Sequence, residues 1–385
     1  MGKAPVMPKD IEIEKALQLP KAIFVDVRSP KEYAEATIPG AVNLPLFSDE
    51  ERAEIGTIYR MEGPRQAKKR GLEIVAPRLP QMVAEVEKLR EQYENVVIFC
   101  WRGGLRSYSV AVVLDVMGVP VYRLMGGYKA YRRYVLSLLE NLQLPYELVV
   151  IHGLTGSGKT RVIKKLAERG MAALDLEALA QNKGSVFGFI GMGSPPTQKM
   201  FDSLLLRELE RYRRFPYLVV ECESKRIGRV YLPDRFMEAM KRGKHILLYC
   251  PLEIRARRLV EEYTAAGAES YRQINFALEQ LRSRLGANKV QQLQEMVAKG
   301  ELVPAAEILL RDYYDRLYRY PEGPAVGYDL CVESIDIDRA AEEIAAYLER
   351  VYGDRRPPEE VGGNGTAGRE TEGTPREEGA VLSGN

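Results

Sequence analysis

Over about the first 140 residues, hydrophobic positions occur as short continuous runs separated by segments with helical spacing. The runs are rich in Val, Ile and Leu, which is typical of strands buried on both faces of a sheet. They predict strands at residues 22–28, 38–45 (after a turn), 95–98 and 121–124. Helical spacing is found at residues 1–20, 30–36, 49–95 and 107–117, interrupted at Pro64, Gly71 and Pro80. Strands that alternate with helices in this way indicate a parallel sheet with helices on both faces.

The same alternation begins again after a linker at residues 140–146. Strands are predicted at residues 148–151, 172–176, 217–220 and 246–249, followed by a long helical region at 252–317. From about residue 354 apolar residues nearly disappear, which is typical of a disordered tail. We therefore predict an α/β protein with one domain at residues 1–139 and a second at 147–350. The second includes a helical region at about 252–320, and the tail covers 354–385.

Composition narrows the class of protein. The chain has 385 residues, enough for two domains, and its 45% hydrophobic and 29% charged fractions are those of a soluble globular protein. Its net charge is only +2, so contacts with nucleic acid would depend on local basic patches. The four cysteines show no metal-ligand spacing, so we expect no structural metal and a reducing compartment. Because no signal pattern or membrane-length apolar run is present, we expect a cytoplasmic protein without membrane contact.

A glycine-rich loop with one cysteine follows the strand predicted at residues 95–98. Its glycines allow backbone N–H groups to turn inward as an anion-binding nest, and its two arginines add positive charge. A helix starting near the end of the loop would direct its positive end at the same point. These effects favour thiolate over thiol, so we predict that Cys100 is a nucleophile rather than a structural cysteine. The residues expected to surround it are Arg102, Gly103, Gly104, Arg106 and Ser107.

The motifs around this loop resemble a rhodanese domain. They are Asp-Val-Arg-Ser-Pro-x-Glu-Tyr at residues 26–33, Ile-Pro-Gly-Ala-x-Asn-x-Pro at 38–45, the cysteine loop, and Gly-Gly-Tyr at 126–128. The resemblance implies that Cys100 carries or attacks a chalcogen, while Asp26 and Arg28 are interpreted as structural. The spacing from Cys100 to Arg106 also occurs in cysteine-dependent phosphatases, but Phe99 stands where many of those have histidine. Phosphatase activity is therefore disfavoured, although the loop suits a tetrahedral oxyanion such as selenophosphate.

A phosphate-binding loop follows the strand predicted at residues 148–151. The sequence Gly-Leu-Thr-Gly-Ser-Gly-Lys-Thr matches G-x-x-x-x-G-K-[ST] between a strand and a helix, which is the context that this motif requires. Backbone N–H groups would hold phosphates, Lys159 would add charge, and Thr160 could ligate Mg²⁺. The motif indicates a polyphosphate without specifying a nucleotide. The residues assigned to diphosphate binding are Gly153, Thr155, Gly156, Ser157, Gly158, Lys159 and Thr160.

Several charged residues farther along the chain are candidates to support this site. An acid after the third strand of a P-loop domain normally holds Mg²⁺, which favours Glu221 and Glu223; Asp175 and Arg226 are further candidates. In the helical region, basic residues such as Arg255 and Arg258 are interspersed with tyrosines. We interpret most of them as solvated helix faces, with a subset able to bind the phosphates of a nucleic acid.

The complete pattern resembles the tRNA 2-selenouridine synthase family over about residues 20–345. Further matching segments are Gly-Thr-x-Tyr at 56–59, Gly71, Gly-Gly-Tyr-Lys-Ala at 126–130, Gly-Ser-x-Phe-Gly at 184–188, Glu-x-Glu-Ser-x-Arg-Ile-Gly at 221–228, Arg-Leu-Gly at 284–286 and Tyr-Tyr-Asp-x-Leu-Tyr at 313–318. One departure is Asn182-Lys183, where many members have His-Arg.

The resemblance implies a two-step reaction on the wobble 2-thiouridine of bacterial tRNAs for Lys, Glu and Gln. Geranyl diphosphate would first alkylate the sulfur, and selenium from selenophosphate would then displace the geranylthio group. The P-loop would bind geranyl diphosphate, with Mg²⁺ as a possible companion, and Cys100 would handle selenium, with a transient selenylsulfide as one option. Gly71 matches a position associated with geranylation, although a turn glycine explains it equally well. A selenophosphate-supplying enzyme is the implied partner.

Two other functions fit the motifs. The first is an ATP-dependent small-molecule kinase with a regulatory rhodanese module, which would consume nucleotide. The second is an RNA-binding sulfur carrier that passes a persulfide to a partner enzyme, and that would react with thiosulfate without making a product alone.

Overall fold

The computed structural model describes residues 8–264 and 267–353, which fold around two five-stranded parallel sheets. The first sheet has the order β1-β5-β4-β2-β3. Its strands are β1 (Lys9–Ile11), β2 (Ala22–Asp26), β3 (Val42–Asn43), β4 (Asn95–Phe99) and β5 (Tyr122–Leu124). The helices of this half are α1 (Ile13–Ala16), α2 (Pro30–Glu35), α3 (Asp49–Met61), α4 (Pro64–Val75), α5 (Leu79–Gln92), α6 (Leu105–Val116) and α7 (Gly127–Glu140).

The second half of the chain also forms a separate two-stranded antiparallel hairpin. The second sheet has the order β12-β11-β6-β8-β7. Its strands are β6 (Glu147–His152), β7 (Ala173–Leu174), β8 (Tyr217–Glu221), β11 (Lys244–Tyr249) and β12 (Leu330–Glu333), and the hairpin consists of β9 (Arg226–Ile227) and β10 (Val230–Tyr231). The helices are α8 (Lys159–Glu168), α9 (Leu176–Ala180), α10 (Gln198–Arg211), α11 (Asp234–Arg242), α12 (Leu252–Thr264), α13 (Ala268–Gln280), α14 (Arg282–Leu285), α15 (Ala287–Ala298), α16 (Leu302–Leu309), α17 (Asp315–Tyr318) and α18 (Ile337–Tyr352).

These elements confirm the predicted α/β class, with two parallel-sheet units and a helical region in the second. The central strands are buried on both faces: Val96, Val97 and Ile98 have no exposed surface, as expected where helices cover a parallel sheet. The helical region of α12–α17 packs around its own hydrophobic core, separate from the core of the second sheet. The predicted disordered tail at 354–385 lies outside the described residues.

Four sequence-based assignments are corrected by the structure. Ile11 lies in β1, which pairs with β5, and not in a helix. Gly71 lies inside α4, so it is not a turn glycine. Leu176 begins α9 instead of ending a strand, because the Asp175 carboxylate caps that helix by accepting from the Ala178 N–H at 2.7 Å. The strand β12 and the helix α18 were not predicted.

The two halves contact each other through α7 and α10. Arg132 forms an ion pair with Asp202 at 2.6 Å, and both side chains are largely buried. At the start of α10, Lys199 pairs with Glu35 at 2.6 Å, and its Nζ lies 5.9 Å from the ring centroid of Trp101. The second half of the chain therefore contacts the residue that follows Cys100. Within 8–264 and 267–353, no helix is both long enough and apolar enough to span a membrane.

Candidate active sites

Cys100 directly follows β4, the central strand of the first sheet, and its side chain is buried. Its Sγ lies 3.2 Å from the hydroxyl of Ser107, in the first turn of α6. The Ser107 hydroxyl is also 3.2 Å from the carbonyl of Gly104. The structure therefore brings the cysteine, the loop glycine and the helix start together, as the glycine-rich spacing predicts.

The Gly126-Gly127 pair packs against the backbone of the cysteine loop. Gly127 has a φ of +58°, and a side chain there would overlap the carbonyl oxygen of Cys100. The close approach allows the backbone N–H of Tyr128 to donate to the Cys100 carbonyl at 2.8 Å, and that of Lys129 to the Trp101 carbonyl at 2.9 Å. The N-terminus of α7 thus holds the loop in place, and the glycines of this motif have a structural role.

The two loop arginines differ in their surroundings. Arg106 donates to the Glu32 carboxylate at 2.7 Å, so its guanidinium is bound to an acid of α2. Burial raises the pKa of Glu32, but the hydrogen bond and charge of Arg106 outweigh it and leave that pKa below its usual value. Arg102 is exposed at the rim of the loop. Of the two predicted charges, Arg102 is thus the one that is open to solvent.

Asp26 and Arg28 form a buried ion pair at 2.6 Å below the loop. The Arg28 guanidinium also donates to the carbonyl of Ala36 at 2.6 Å and lies 4.4 Å from the ring centroid of Tyr128. Thr37 donates to the Asp26 carboxylate at 2.9 Å. Because these contacts join the end of β2 to the segment at residues 36–37 and to α7, the pair has the structural role that the sequence suggests.

The predicted phosphate-binding loop connects β6 to α8. Its glycines have positive φ and leave no room for side chains: a Cβ at Gly153 would meet the carbonyl of Leu248, and one at Gly156 the backbone of Arg255. The Lys159 Nζ donates to the Gly153 carbonyl at 2.8 Å and so lies across the loop. This is the nest geometry that binds phosphate oxygens.

Arg255 and Arg258, interpreted above as solvated helix residues, are buried and brace this loop. Arg255 pairs with Asp315 at 2.8 Å and donates to the Thr155 carbonyl at 3.2 Å. Arg258 donates to the Ser157 carbonyl at 3.1 Å, and its pKa is lowered chiefly by burial. Both therefore satisfy loop carbonyls that sequence spacing alone does not connect to them.

A cluster of buried carboxylates lies beside Thr160. The Thr160 hydroxyl donates to Glu177 at 3.0 Å, and the backbone N–H of Glu177 donates to Glu221 at 2.8 Å. Burial and the nearby charge of Glu223 raise the pKa of Glu177 to about 8. Burial likewise raises the pKa values of Asp175, Glu221 and Glu223. Glu177 was not predicted, although it lies only two residues after Asp175.

The donors beside Thr160 suit Mg²⁺. One Oε of Glu221 is buried without a hydrogen-bond partner, and burial followed by the charges of neighbouring acids raises the pKa values of Glu177 and Glu221. No three His, Cys, Asp or Glu side chains in residues 8–264 and 267–353 are placed to hold a metal by themselves. A magnesium ion would thus be held by Thr160 and an acid together with substrate phosphate oxygens, which is its usual mode.

A cavity of about 350 Å³ lies above the phosphate loop. The predicted residues that line it are Gly153, Thr155, Gly156, Gly158, Lys159, Thr160 and Glu223. Ser157, Asp175 and Glu221 do not line the cavity; Ser157 and Glu221 are buried and Asp175 is half-buried. Arg226 is exposed on β9, where it donates to the Gly228 carbonyl at 2.9 Å. Gly71 lies in the other half, where an added Cβ would contact the Phe47 ring at 3.4 Å.

Other residues at this cavity were not predicted. Lys183, of the Asn182-Lys183 pair, also lines it and pairs with Glu262 at 2.8 Å. Cys222 accepts from the Tyr320 hydroxyl at 3.2 Å, and that hydroxyl lies 3.3 Å from His152. Burial first, and then the charge of His245, lower the pKa of His152 to about 4. No local sequence pattern links these positions, because they come from three distant parts of the chain.

Comparisons with known proteins match both halves. Residues 11–134 match the rhodanese-like domain family, and residues 146–327 match the family described as tRNA 2-selenouridine synthase AAA domain. A tRNA 2-selenouridine synthase of Psychromonas ingrahamii is 32% identical over 80% of this chain and 90% of the relative. Another, of Hydrogenovibrio crunogenus, is 34% identical over 82% of this chain and 93% of the relative. A solved N-terminal domain from Clostridium difficile 630 is 48% identical, covering 33% of this chain and 99% of its own, with a TM-score of 0.33.

Proposed function

The chain belongs to the tRNA 2-selenouridine synthase family, and on that premise we propose that it converts wobble 2-thiouridine in tRNA to 2-selenouridine. The observation that carries the proposal is the presence, in one chain, of a buried cysteine in an oxyanion loop and a phosphate loop with its own cavity. The proposed substrates are the bacterial tRNAs for Lys, Glu and Gln. The selenium donor is selenophosphate from a supply enzyme, and the activating co-substrate is geranyl diphosphate.

The first proposed step is alkylation of the thiouridine sulfur. The sulfur attacks C1 of geranyl diphosphate, the C1–O bond breaks as the C1–S bond forms, and the proton on N3 of the base passes to solvent. The phosphate loop and Lys159 would hold the diphosphate that leaves. Mg²⁺ held beside Thr160 would neutralise part of its charge. The N–H groups of the loop and Lys159 would bind and stabilise the departing diphosphate by themselves, so the reaction needs no ATP hydrolysis.

The second proposed step replaces sulfur by selenium. Alkylation makes C2 of the base a better electrophile, so a selenide equivalent from selenophosphate adds there and geranylthiol leaves. Water takes the phosphoryl group as phosphate, and N3 regains its proton. Cys100 and its loop would bind and deliver the selenophosphate. A selenylsulfide on Cys100 would need a two-electron oxidant that neither co-substrate supplies, so selenium is transferred as selenide. For the first step, the alkylation of the thiouridine sulfur, Gly71 remains a candidate residue.

Mass spectrometry of tRNA nucleosides tests the proposal. The protein is incubated with 2-thiouridine tRNA, geranyl diphosphate, Mg²⁺ and selenophosphate, in parallel with Cys100→Ser and Lys159→Ala. We expect 2-selenouridine from the wild type, accumulated S-geranyl-2-thiouridine from Cys100→Ser, and unchanged base from Lys159→Ala. Cys331→Ser and Lys241→Ala, on β12 and on the exposed face of α11, serve as matched controls.

Two results would overturn this assignment. Full conversion by both variants would remove Cys100 and Lys159 from the chemistry. An unchanged base in the wild type, together with consumption of ATP, would favour the kinase hypothesis.

A further inference from the structure

An apolar cavity of about 70 Å³ lies inside the helical region next to the phosphate loop. It shares Thr155, Leu259 and Tyr263 with the larger cavity above the loop, so the two spaces adjoin along a common wall. Thr155 belongs to the phosphate loop itself. Anything bound there by phosphate groups therefore lies next to the apolar space of the helical region.

The walls of the smaller cavity are almost entirely hydrocarbon. They come from α12, α13, α15 and α16, from Phe187 and Thr155, and from Tyr314, whose buried hydroxyl has no hydrogen-bond partner. Representative side chains are Leu259, Leu278, Leu293, Leu302 and Ala305. Thr264, one of the few polar residues, satisfies its hydroxyl by donating to the Val260 carbonyl at 2.6 Å. A nucleobase would leave its polar edge without partners in such a space, whereas an alkyl or alkenyl chain would not.

The geometry points to this cavity as the binding site for the distal end of the hydrocarbon chain of an isoprenoid diphosphate whose head group occupies the phosphate loop. The inference rests on the proposed function and adds the location of the chain. A cavity of about 70 Å³ holds only the distal carbons of such a chain, and the rest would lie in the adjoining cavity of about 350 Å³.

Filling the cavity tests the inference. Ala305 is buried on α16 and lines the space, whereas Ala298 is exposed at the end of α15, so Ala305→Phe and Ala298→Phe make a matched pair. Binding of dimethylallyl, geranyl and farnesyl diphosphate, and of inorganic diphosphate, is measured by calorimetry. We expect Ala305→Phe to bind geranyl diphosphate at least about tenfold more weakly, to bind inorganic diphosphate unchanged, and to retain most of its dimethylallyl affinity. Ala298→Phe should match the wild type.

A second variant and a second substrate guard against a folding defect. Leu293→Ala enlarges the cavity and should raise the affinity for farnesyl relative to geranyl diphosphate. Ala305→Phe should still convert tRNA that already carries S-geranyl-2-thiouridine, because the cysteine site is in the other half of the chain. Geranyl diphosphate binding no tighter than inorganic diphosphate in the wild type, or equal in wild type and Ala305→Phe, overturns the inference. If Ala305→Phe weakens the binding of geranyl diphosphate but the wild type makes no modified nucleoside, the cavity is still the binding site for the chain and the proposed function is refuted.

Discussion

Replacing Glu177 by glutamine is predicted to flatten the dependence of stability on pH. Burial and the charge of Glu223 raise the pKa of Glu177 from 4.5 to about 8. A carboxyl whose pKa is higher in the folded state binds its proton more tightly there than in the unfolded chain. Its contribution is therefore fully present below the unfolded pKa and is lost as pH rises through the folded one. Glutamine keeps the size and an oxygen that can accept from Thr160, but it does not titrate.

The expected size follows from the same shift. Between the two pKa values, one such carboxyl costs about 1.4 kcal/mol of stability for each unit of rising pH. From pH 5.5 to 7.5 the wild type should thus lose about 2–3 kcal/mol more than Glu177→Gln. Removing Glu177 as a charge also lowers the pKa of Glu221, which acts in the same direction.

Urea denaturation at the two pH values, without Mg²⁺ or diphosphate, measures this difference. Glu91→Gln, at an exposed position of α5, is the control and should follow the wild type. If Glu177→Gln and the wild type lose stability in parallel from pH 5.5 to 7.5, Glu177 is not a buried proton-binding group and the reasoning fails.

Two further predictions concern the cysteine half. Asp26→Ala should destabilise the protein by about 3–5 kcal/mol in urea denaturation, because it leaves Arg28 buried without its partner; a loss below about 1 kcal/mol would contradict the buried-pair assignment. Gly127→Ala should slow the alkylation of Cys100 by iodoacetamide, because the new Cβ overlaps the carbonyl oxygen of Cys100 and displaces the loop. Gly118→Ala, at an equally positive φ of +79° but with nothing within 4 Å, should cost only the backbone strain of about 1 kcal/mol and leave that rate unchanged. Equal rates in both variants would refute the close-packing argument.

Most of the fold could be predicted because the buried strands are short β-branched runs and the turns carry glycine or proline. The elements that were missed are those whose signal depends on a distant partner. β1 has three residues and becomes a strand only by pairing with β5, and β12 is stabilised by its pairing with β11. Gly71 shows the opposite error, since a glycine that looks like an interruption is accommodated within α4 against Phe47.

The sequence by itself determined the two loops, because a cysteine nest and a phosphate nest are each built from consecutive residues whose backbone conformation is encoded locally. It also determined the α/β class and the family. The fold brings together what surrounds those loops: Arg106 is bound to Glu32, Arg255 and Arg258 hold the phosphate loop, and Glu177 joins the buried acids. It alone placed an apolar cavity beside the phosphate site. Charge pairing, burial and cavities are sums over residues far apart in the chain, and no local pattern carries them.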